Sequence, residues 1–371
     1  MVALAGASMN STSVDRRTRL KAPKWPSIDL LLYRCPSCSG SLRRVYDSPD
    51  DAPLSAGKLP RELLVELLAK ARPLPPGVRL GPALGEDAAA IDVPAGSVVV
   101  ASDPVTLTGA GVARLCVIVN ANDVAIMGVT PRWFVATVLF PVGTTRSQAR
   151  DLFDELHSST NEAGVALVGG HTEVTPAVNQ TVVCGTMLGF ADHGELIETA
   201  GASPGDVVVQ IGEAPIEGAL VLGMPAEDGA SISVVRAALD AGLLGATAMH
   251  DPTEGGLATG LHELATASGL GLVIDESAVL WNPSAIDFVD AAGADSWRTL
   301  ASGTVLATFE ASIAQQVVVS LQALGHQASS IGKAVVGSGV SSRNGTPIEP
   351  AEVDEIARLR ERDAKPGEPG W

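Results

Sequence analysis

The strongest constraint on the fold is a rhythm between residues 97 and 188. Short apolar runs of strand type (Ser97–Ala101, Trp133–Leu139, Val165–Val168, Thr181–Leu188) are separated by stretches of helical period (Arg114–Met127, Ser147–Ala163). A chain that alternates these two periods forms a mixed α/β or α+β domain, in which helices cover a sheet. A turn-rich break, "GASPGDVVVQIG" (201–212), ends that region. Helical, Gly-rich and strand-like segments follow to about Val340, enough for a second domain. The length agrees, because a single core seldom grows beyond about 250–300 residues and this chain has 371.

The flanks read differently. Residues 1–52 are rich in Ser, Arg, Asp and Pro and show no sustained period, so an extension without regular packing is expected there. It contains "RCPSCSGSL", in which Cys35 and Cys38 have the spacing of one zinc knuckle. A closed zinc site needs four ligands, and no second pair at ligand spacing follows, so free thiols are the simpler reading. The folded body begins near "GKLPRELLVELLAKA" (57–71), an amphipathic helix with Leu63, Leu64, Leu67 and Leu68 on one face. The end, "RERDAKPGEPGW", is charged and then rich in Pro and Gly, and is expected to be poorly ordered.

Charge excludes some functions. The formal net charge is −17, which opposes a surface for nucleic acid, since that affinity rests on clustered Lys and Arg. No apolar stretch reaches the ~18 residues of a membrane span, and the first twenty residues lack the pattern of a secretory signal. Four cysteines in a chain this long do not make a disulfide framework, so reduced thiols and a cytoplasmic setting are expected.

The acids are placed unusually. Glu86 and Asp87 precede a short apolar run, Asp103 follows "SVVVAS", Asp123 lies near the end of the helix "RLCVIVNANDVAIMG", Glu173 follows "VALVGGHT", and Asp251 opens "DPTEGGL". A single Asp at such a place caps a turn as readily as it binds a cation. Asp123 is the most informative, because a carboxylate near a helix C-terminus opposes the macrodipole and favours a compensating cation. The six lysines stand at 21, 24, 58, 70, 333 and 365, so nothing from Ala71 to Gly332 offers an ammonium group. Neither a P-loop nor a Rossmann fingerprint is present. A polyphosphate would therefore have to be neutralised by Mg²⁺ held on carboxylates, by helix N-termini, or by an Arg. Two Gly-flanked stretches extend the case. "VGGHTE" (168–173) lets a ligand approach the backbone beside the titratable His171, and "HDPTEGGLATGLHELA" (250–265) places His250, Asp251 and Thr253 before a helix that starts at Gly255 and Gly256. The alternative for either double glycine is tight helix-to-strand packing, and His262 reads as a surface residue of its helix. Cys116 and Cys184 lie in apolar runs and read as core fillers.

In this order "GEDAAAID", "SDPVT", "NANDVAIMG", "GGHTE", "PGDVVVQIG" and "HDPTEGGL" resemble the superfamily of aminoimidazole-ribonucleotide (AIR) synthase (PurM), selenophosphate synthetase, thiamine-monophosphate kinase and the hydrogenase-maturation protein HypE, over roughly residues 57 to 340. "HDPTEGGLATGLHELA", "APIEGALVLG" (214–223) and "IDES" (274–277) look nearest to the HypE branch. The resemblance implies a two-domain AIR-synthase-like α/β (α+β) fold. Its N-terminal ATP-binding domain (57–200) would pair across a homodimer into a barrel; a C-terminal α+β domain (201–340) and a tail (341–371) follow. It also implies Mg-ATP, with Asp87, Asp103 and Asp123 as magnesium and phosphate-binding acids and Asn120 and Asn122 beside them. Gly169, Gly170, His171 and Thr172 correspond to the nucleotide-site loop, and Asp251, Thr253, Gly255 and Gly256 to the second-domain loop facing the cleft. His171 and Asp251 are the candidates for catalysis.

The implied chemistry is activation of an oxygen on a small-molecule or protein acceptor, by phosphorylation or dehydration. The alternative is a non-catalytic scaffold assisting metalloenzyme maturation, with a maturation protein as partner. Two departures bear on the reaction. HypE-type enzymes carry a C-terminal cysteine that receives a carbamoyl group, whereas this sequence ends "KPGEPGW"; and the reactive Cys and Lys of selenophosphate synthetases have no counterpart around residues 57 to 87.

Overall fold

A computed structural model describes residues 61, 78–80, 85, 89–93, 96–105, 111–192, 196–225 and 232–363. Glu86, Asp87, the Cys35–Cys38 pair, the helix expected over 57–71 apart from Arg61, and residues 364–371 lie outside the described residues.

The first half is built on a sheet of seven strands. β1 (Val78–Leu80), β2 (Ala89–Val93), β3 (Gly96–Ala101) and β4 (Pro104–Val105) precede the helix α1 (Val112–Ile126). Then come β5 (Pro131–Pro141), α2 (Arg146–Glu162), β6 (Ala166–Thr175) and β7 (Val182–Ala191). The strand order is β1-β2-β3-β7-β5-β6, with β4 pairing β7, and only β5 and β6 run parallel. That parallel pair needs a crossover, which α2 supplies. The helix starts on a capping box in which the Thr145 hydroxyl accepts from Gln148 N and the Gln148 side chain accepts from Thr145 N. β3 and β7 alternate buried and half-buried residues, as strands with one covered face do. Their buried side includes Val99, Val183 and Met187, packed on α1 together with Phe134.

The second half holds a six-stranded sheet ordered β13-β10-β12-β8-β11-β9. Its elements are β8 (Val207–Ile211), α3 (Ile216–Val221), α4 (Val235–Leu243), β9 (Ala248–His250), α5 (Gly256–Ser268), β10 (Gly271–Ile274), α6 (Pro283–Ala292), β11 (Val305–Phe309), α7 (Ala314–Ala323), β12 (Ala328–Val335), β13 (Gly339–Ser342) and α8 (Glu355–Asp363). Both faces are covered. Val305, Ala307 and Phe309 of β11 pack with Ala238 and Ala241 of α4 and Leu321 of α7, whereas Leu306 packs with Leu257, Leu261 and Leu264 of α5. A strand buried on both sides reads as a continuous apolar run, and all five residues of β11 are buried. Helix α8 extends regular structure to Asp363, so Arg360 to Asp363, expected in a loose tail, are helical.

Helix α1 joins the halves. Ten of its fifteen residues are buried. Ala113, Cys116, Val117 and Val124 belong to the core of the first sheet, whereas Ala125 and Ile126 belong to that of the second. A helix apolar around most of its circumference is one packed on more than one side. No helix among the described residues is long and apolar enough to cross a membrane.

Candidate functional site

The "NAND" stretch at the end of α1 is where the halves are tied. The Asn120 side chain is fully buried; its oxygen accepts from Asp103 N at 2.9 Å and its amide donates to Asp103 O at 3.2 Å and Cys116 O at 2.8 Å. Two residues on, Asn122 turns to the second half, accepting from Val234 N at 2.9 Å and donating to Ile232 O at 2.9 Å. The sequence motif set these asparagines beside a magnesium site. In this structure both amides are spent on the chain's own backbone, because burial leaves an amide no water to fall back on. Asn120 thereby fixes the backbone of Asp103, whose side chain is exposed. Gly185 N donates to the Asp103 carbonyl at 2.9 Å from the other side. Asp123 is half-buried and, one turn beyond Asn120, shares its face of the helix.

Among the described residues no three His, Cys, Asp or Glu side chains converge at metal-binding distance. Asp87, the third acid of the predicted set, lies outside them. The donor chemistry of Asp103 and Asp123 fits a hard cation that keeps several waters, since both are carboxylates with access to solvent. Cys116 plays no such part. Burial, with Cys184 and Asp103 nearby, pushes its thiol up to about 12, and it serves as a core filler.

The second cluster is on β6. Gly169, Gly170, His171 and Thr172 are strand residues, in parallel register with Val135, Ala136, Thr137 and Val138 of β5, not a loop after a strand. The glycine at 170 is required by that pairing: a Cβ there would lie 1.9 Å from the Ala136 carbonyl oxygen. His171 Nε2 is 3.3 Å from Glu173 Oε2, and both side chains are exposed. His171 is in register with Thr137, Thr137 with Cys184, and Cys184 with Pro104. His171 and the residue next to Asp103 therefore stand in one row, three strand spacings or roughly 14 Å apart.

The third cluster is the loop between β9 and α5. His250 is buried, with Nε2 2.9 Å from Glu263 Oε2, and Asp251 is only 3% exposed. Gly255 and Gly256 have φ of 79° and 65° in succession. Only glycine takes this conformation without strain. A Cβ at 256 would also lie 2.6 Å from the carbonyl oxygens of Trp297 and Thr299. The helix N-terminus that the sequence offers to an anion has one from the chain itself: Gly255 N donates to Asp354 Oδ2 at 2.8 Å. His262, expected at the surface, is half-buried with Nε2 2.7 Å from Ile348 O.

The arrangement of two mixed sheets, joined through a buried helix that carries the acidic motif, coincides with known relatives. The family models for AIR synthase related proteins match in both halves, the N-terminal domain over residues 85–191 and the C-terminal domain over 203–343. The chain belongs to the AIR synthase-related family. A carbamoyl dehydratase HypE from Cupriavidus necator is 29% identical over 270 residues, covering 68% of this chain and 77% of the relative. The corresponding protein of Escherichia coli is 26% identical, covering 64% and 74%. The fold matches a crystal structure of a hydrogenase maturation protein HypE in complex with ATP, with a TM-score of 0.64, 23% identity, and coverage of 75% of this chain and 92% of that one. It also matches a thiamine monophosphate kinase from Aquifex aeolicus, with a TM-score of 0.56, 16% identity, and coverage of 71% and 93%.

Within this AIR synthase-related chain, the acids that sequence reading missed are Glu217 and Asp354. Both are buried. Burial, with the carboxylates of Glu254 and Glu217 nearby, raises the Asp354 carboxyl to about 6, against the pull of its two backbone N–H partners. The available signal was "EVDEIARLR": an Asp before a helical run is an N-cap signature, and Asp354 Oδ1 indeed accepts from Ile356 N at 2.8 Å. Its second partner, a hundred residues away, has no local signature.

Proposed function

We propose that this protein binds Mg-ATP and uses it to activate an oxygen of a small or protein-borne acceptor, by phosphorylation or dehydration, in the manner of the carbamoyl dehydratases it resembles. The observation that carries the reading is the Asn120 clamp, which holds the backbone of Asp103 between β3 and β4 against α1 while its side chain stays exposed to solvent. A purely structural acid there would be expected to close its own turn. Similarity to carbamoyl dehydratases across both halves, and to a relative crystallised with ATP, supports the same reading.

Asp87, Asp103 and Asp123 would hold the magnesium, which neutralises phosphate charge in a region where the sequence provides no lysine. Asn120 keeps the Asp103 backbone from moving as charge accumulates, and Asn122 holds the second half against the same helix. His171, with the equally exposed Glu173 beside it on β6, is suited to move a proton at its imidazole. Positioning and electrostatics would supply most of the rate, as in phosphoryl transfer generally.

A second copy of the chain completes this reading. β6 is an edge strand, and its residues are exposed along nearly their whole length, Val168 and Val174 among them. An exposed edge strand of that length, with two valines facing solvent, is a template for pairing. Pairing of two such edges would bring His171 of one protomer toward the other. A maturation partner is consistent with the crystallised complex of HypE with HypF, whose HypE chain shares this fold.

The test is calorimetric titration of ATP with and without Mg²⁺ on the wild type and on Asp87→Asn, Asp103→Asn and Asp123→Asn. Each substitution should abolish Mg-dependent binding while leaving the oligomer intact. Variants that bind as the wild type does would refute the assignment of these acids.

A further inference from the structure

We propose that Asp354 is a positioning residue, holding through the Gly255 amide the loop Asp251–Gly256 in the shape that the proposed reaction needs. This deepens the reading above and rests on it.

Two successive glycines with positive φ have no side chains by which a fold could hold them; their N–H and C=O groups are the only handles. On one side the loop is stopped by the carbonyls of Trp297 and Thr299, which leave no room for even a methyl group at Gly256. On the other side stands Asp354, with both oxygens engaged: Oδ2 accepts from Gly255 N and Oδ1 from Ile356 N, each at 2.8 Å.

The segment carrying Asp354 is itself laced to the walls of the loop. His262 Nε2 reaches Ile348 O at 2.7 Å, Ala351 N donates to Thr259 Oγ1 at 3.1 Å, Asp295 N donates to Glu355 Oε2 at 3.0 Å, and Arg358 donates to Gly293 O at 2.9 Å. Residues 348–358 thus form a clasp across the first turns of α5 and the 293–299 loop. They lie beyond residue 343, where the match to the family's C-terminal domain ends.

The chemistry of the clasp is costly for a purely structural cap. Serine, threonine or asparagine caps a helix without burying a charge. Here a buried carboxylate faces those of Glu254 on the loop and Glu217 on α3, while Arg358 on its own helix is engaged by Glu355. Perturbed acids of this kind concentrate where a fold serves function. The carboxyl titrates at about 6. Above that pH the ionised form binds both amides, and below it the clasp on Gly255 weakens.

The experiment uses the full-length chain with Asp354→Asn and Asp354→Ala, and Thr259→Ala as a milder loosening of the same segment should the Asp354 variants fail to fold. Three quantities are read: hydrogen exchange of the peptide containing Gly255, the ATP dissociation constant, and Mg-ATP turnover from about pH 5 to 8. Exchange should speed by about tenfold in Asp354→Ala and less in Thr259→Ala, since a charge-assisted bond is lost in the first and only the brace behind it in the second. ATP affinity should stay within about twofold while turnover falls about tenfold, the pattern of a group that acts on the reacting geometry alone. Wild-type turnover should fall as pH drops through about 6, and Asp354→Asn should lack that limb. Unchanged loop exchange, or turnover and pH dependence like the wild type's, would overturn the proposal. A wild type that does not bind ATP would instead overturn the proposed function.

Discussion

β6 and β11 show how differently the two halves meet solvent. β11 is an inner strand of five residues, all buried, with Phe309 and Leu306 packed to opposite faces. β6 has ten residues on a sheet edge, and eight of them are exposed. The second half is a finished object, with helices on both faces of its sheet. The first half shields one face with α1 and, among the described residues, ends on the exposed strand β6, where Val168 and Val174 face solvent, the edge that the proposed second copy would cover. Stability should therefore reside in the second half, and assembly in the first.

The sharpest way to break that comparison is to empty a core position in β11. Phe309→Ala should cost about 3–5 kcal/mol in urea unfolding, whereas Val174→Ala on β6 should change stability by less than about 0.5 kcal/mol. Equal costs would remove the distinction.

Next in size is the link between the halves. Asn122→Ala strands Val234 N and Ile232 O in the interior and should cost about 2–3 kcal/mol, with the unfolding transition splitting in two as α1 loses its hold on the second half. A single sharp transition of unchanged midpoint would show that the helix does not couple them.

A smaller effect follows from Asp354. Its folded carboxyl titrates at about 6, above its ordinary value of 3.8, so between those two values the folded chain is the better proton binder. Its contribution to stability is thus largest at low pH and is lost as pH rises through about 6. The thermal midpoint should rise as pH falls from about 6 toward 4, and Asp354→Asn should flatten that slope. The smallest effect on stability concerns β6: Val168→Lys with Val174→Lys should leave the unfolding curve nearly unmoved while converting the proposed dimer to a monomer in light scattering. A doubly substituted chain that stays dimeric would place the interface elsewhere.

Much of the fold was legible in the sequence because its signals are local. The runs at 97–101 and 133–139 fall within β3 and β5, the run at 181–188 enters β7 at Val182, and the helical periods at 114–127 and 147–163 match α1 and α2 to one residue past their ends. The ordered motifs led to the family and hence the two-domain architecture. What escaped was set by distant contacts. Gly169 and Gly170 read as a loop, since paired glycines commonly are one; here Gly170 is needed because β5 passes too close for a side chain. Asn120 and Asn122 read as ligand groups, and their backbone partners, 17 and 110 or more residues away, leave no trace in the local pattern. His262 and Asp354 owe their places to a clasp that only the folded chain assembles.

The most direct test of the account is titration of the purified full-length protein with ATP, with and without Mg²⁺, followed by phosphate release on the same sample. Magnesium-dependent binding that Asp103→Asn removes is expected, with slow hydrolysis in the absence of an acceptor. No binding at millimolar ATP in the presence of Mg²⁺ would contradict it and leave the clamped acid a structural one.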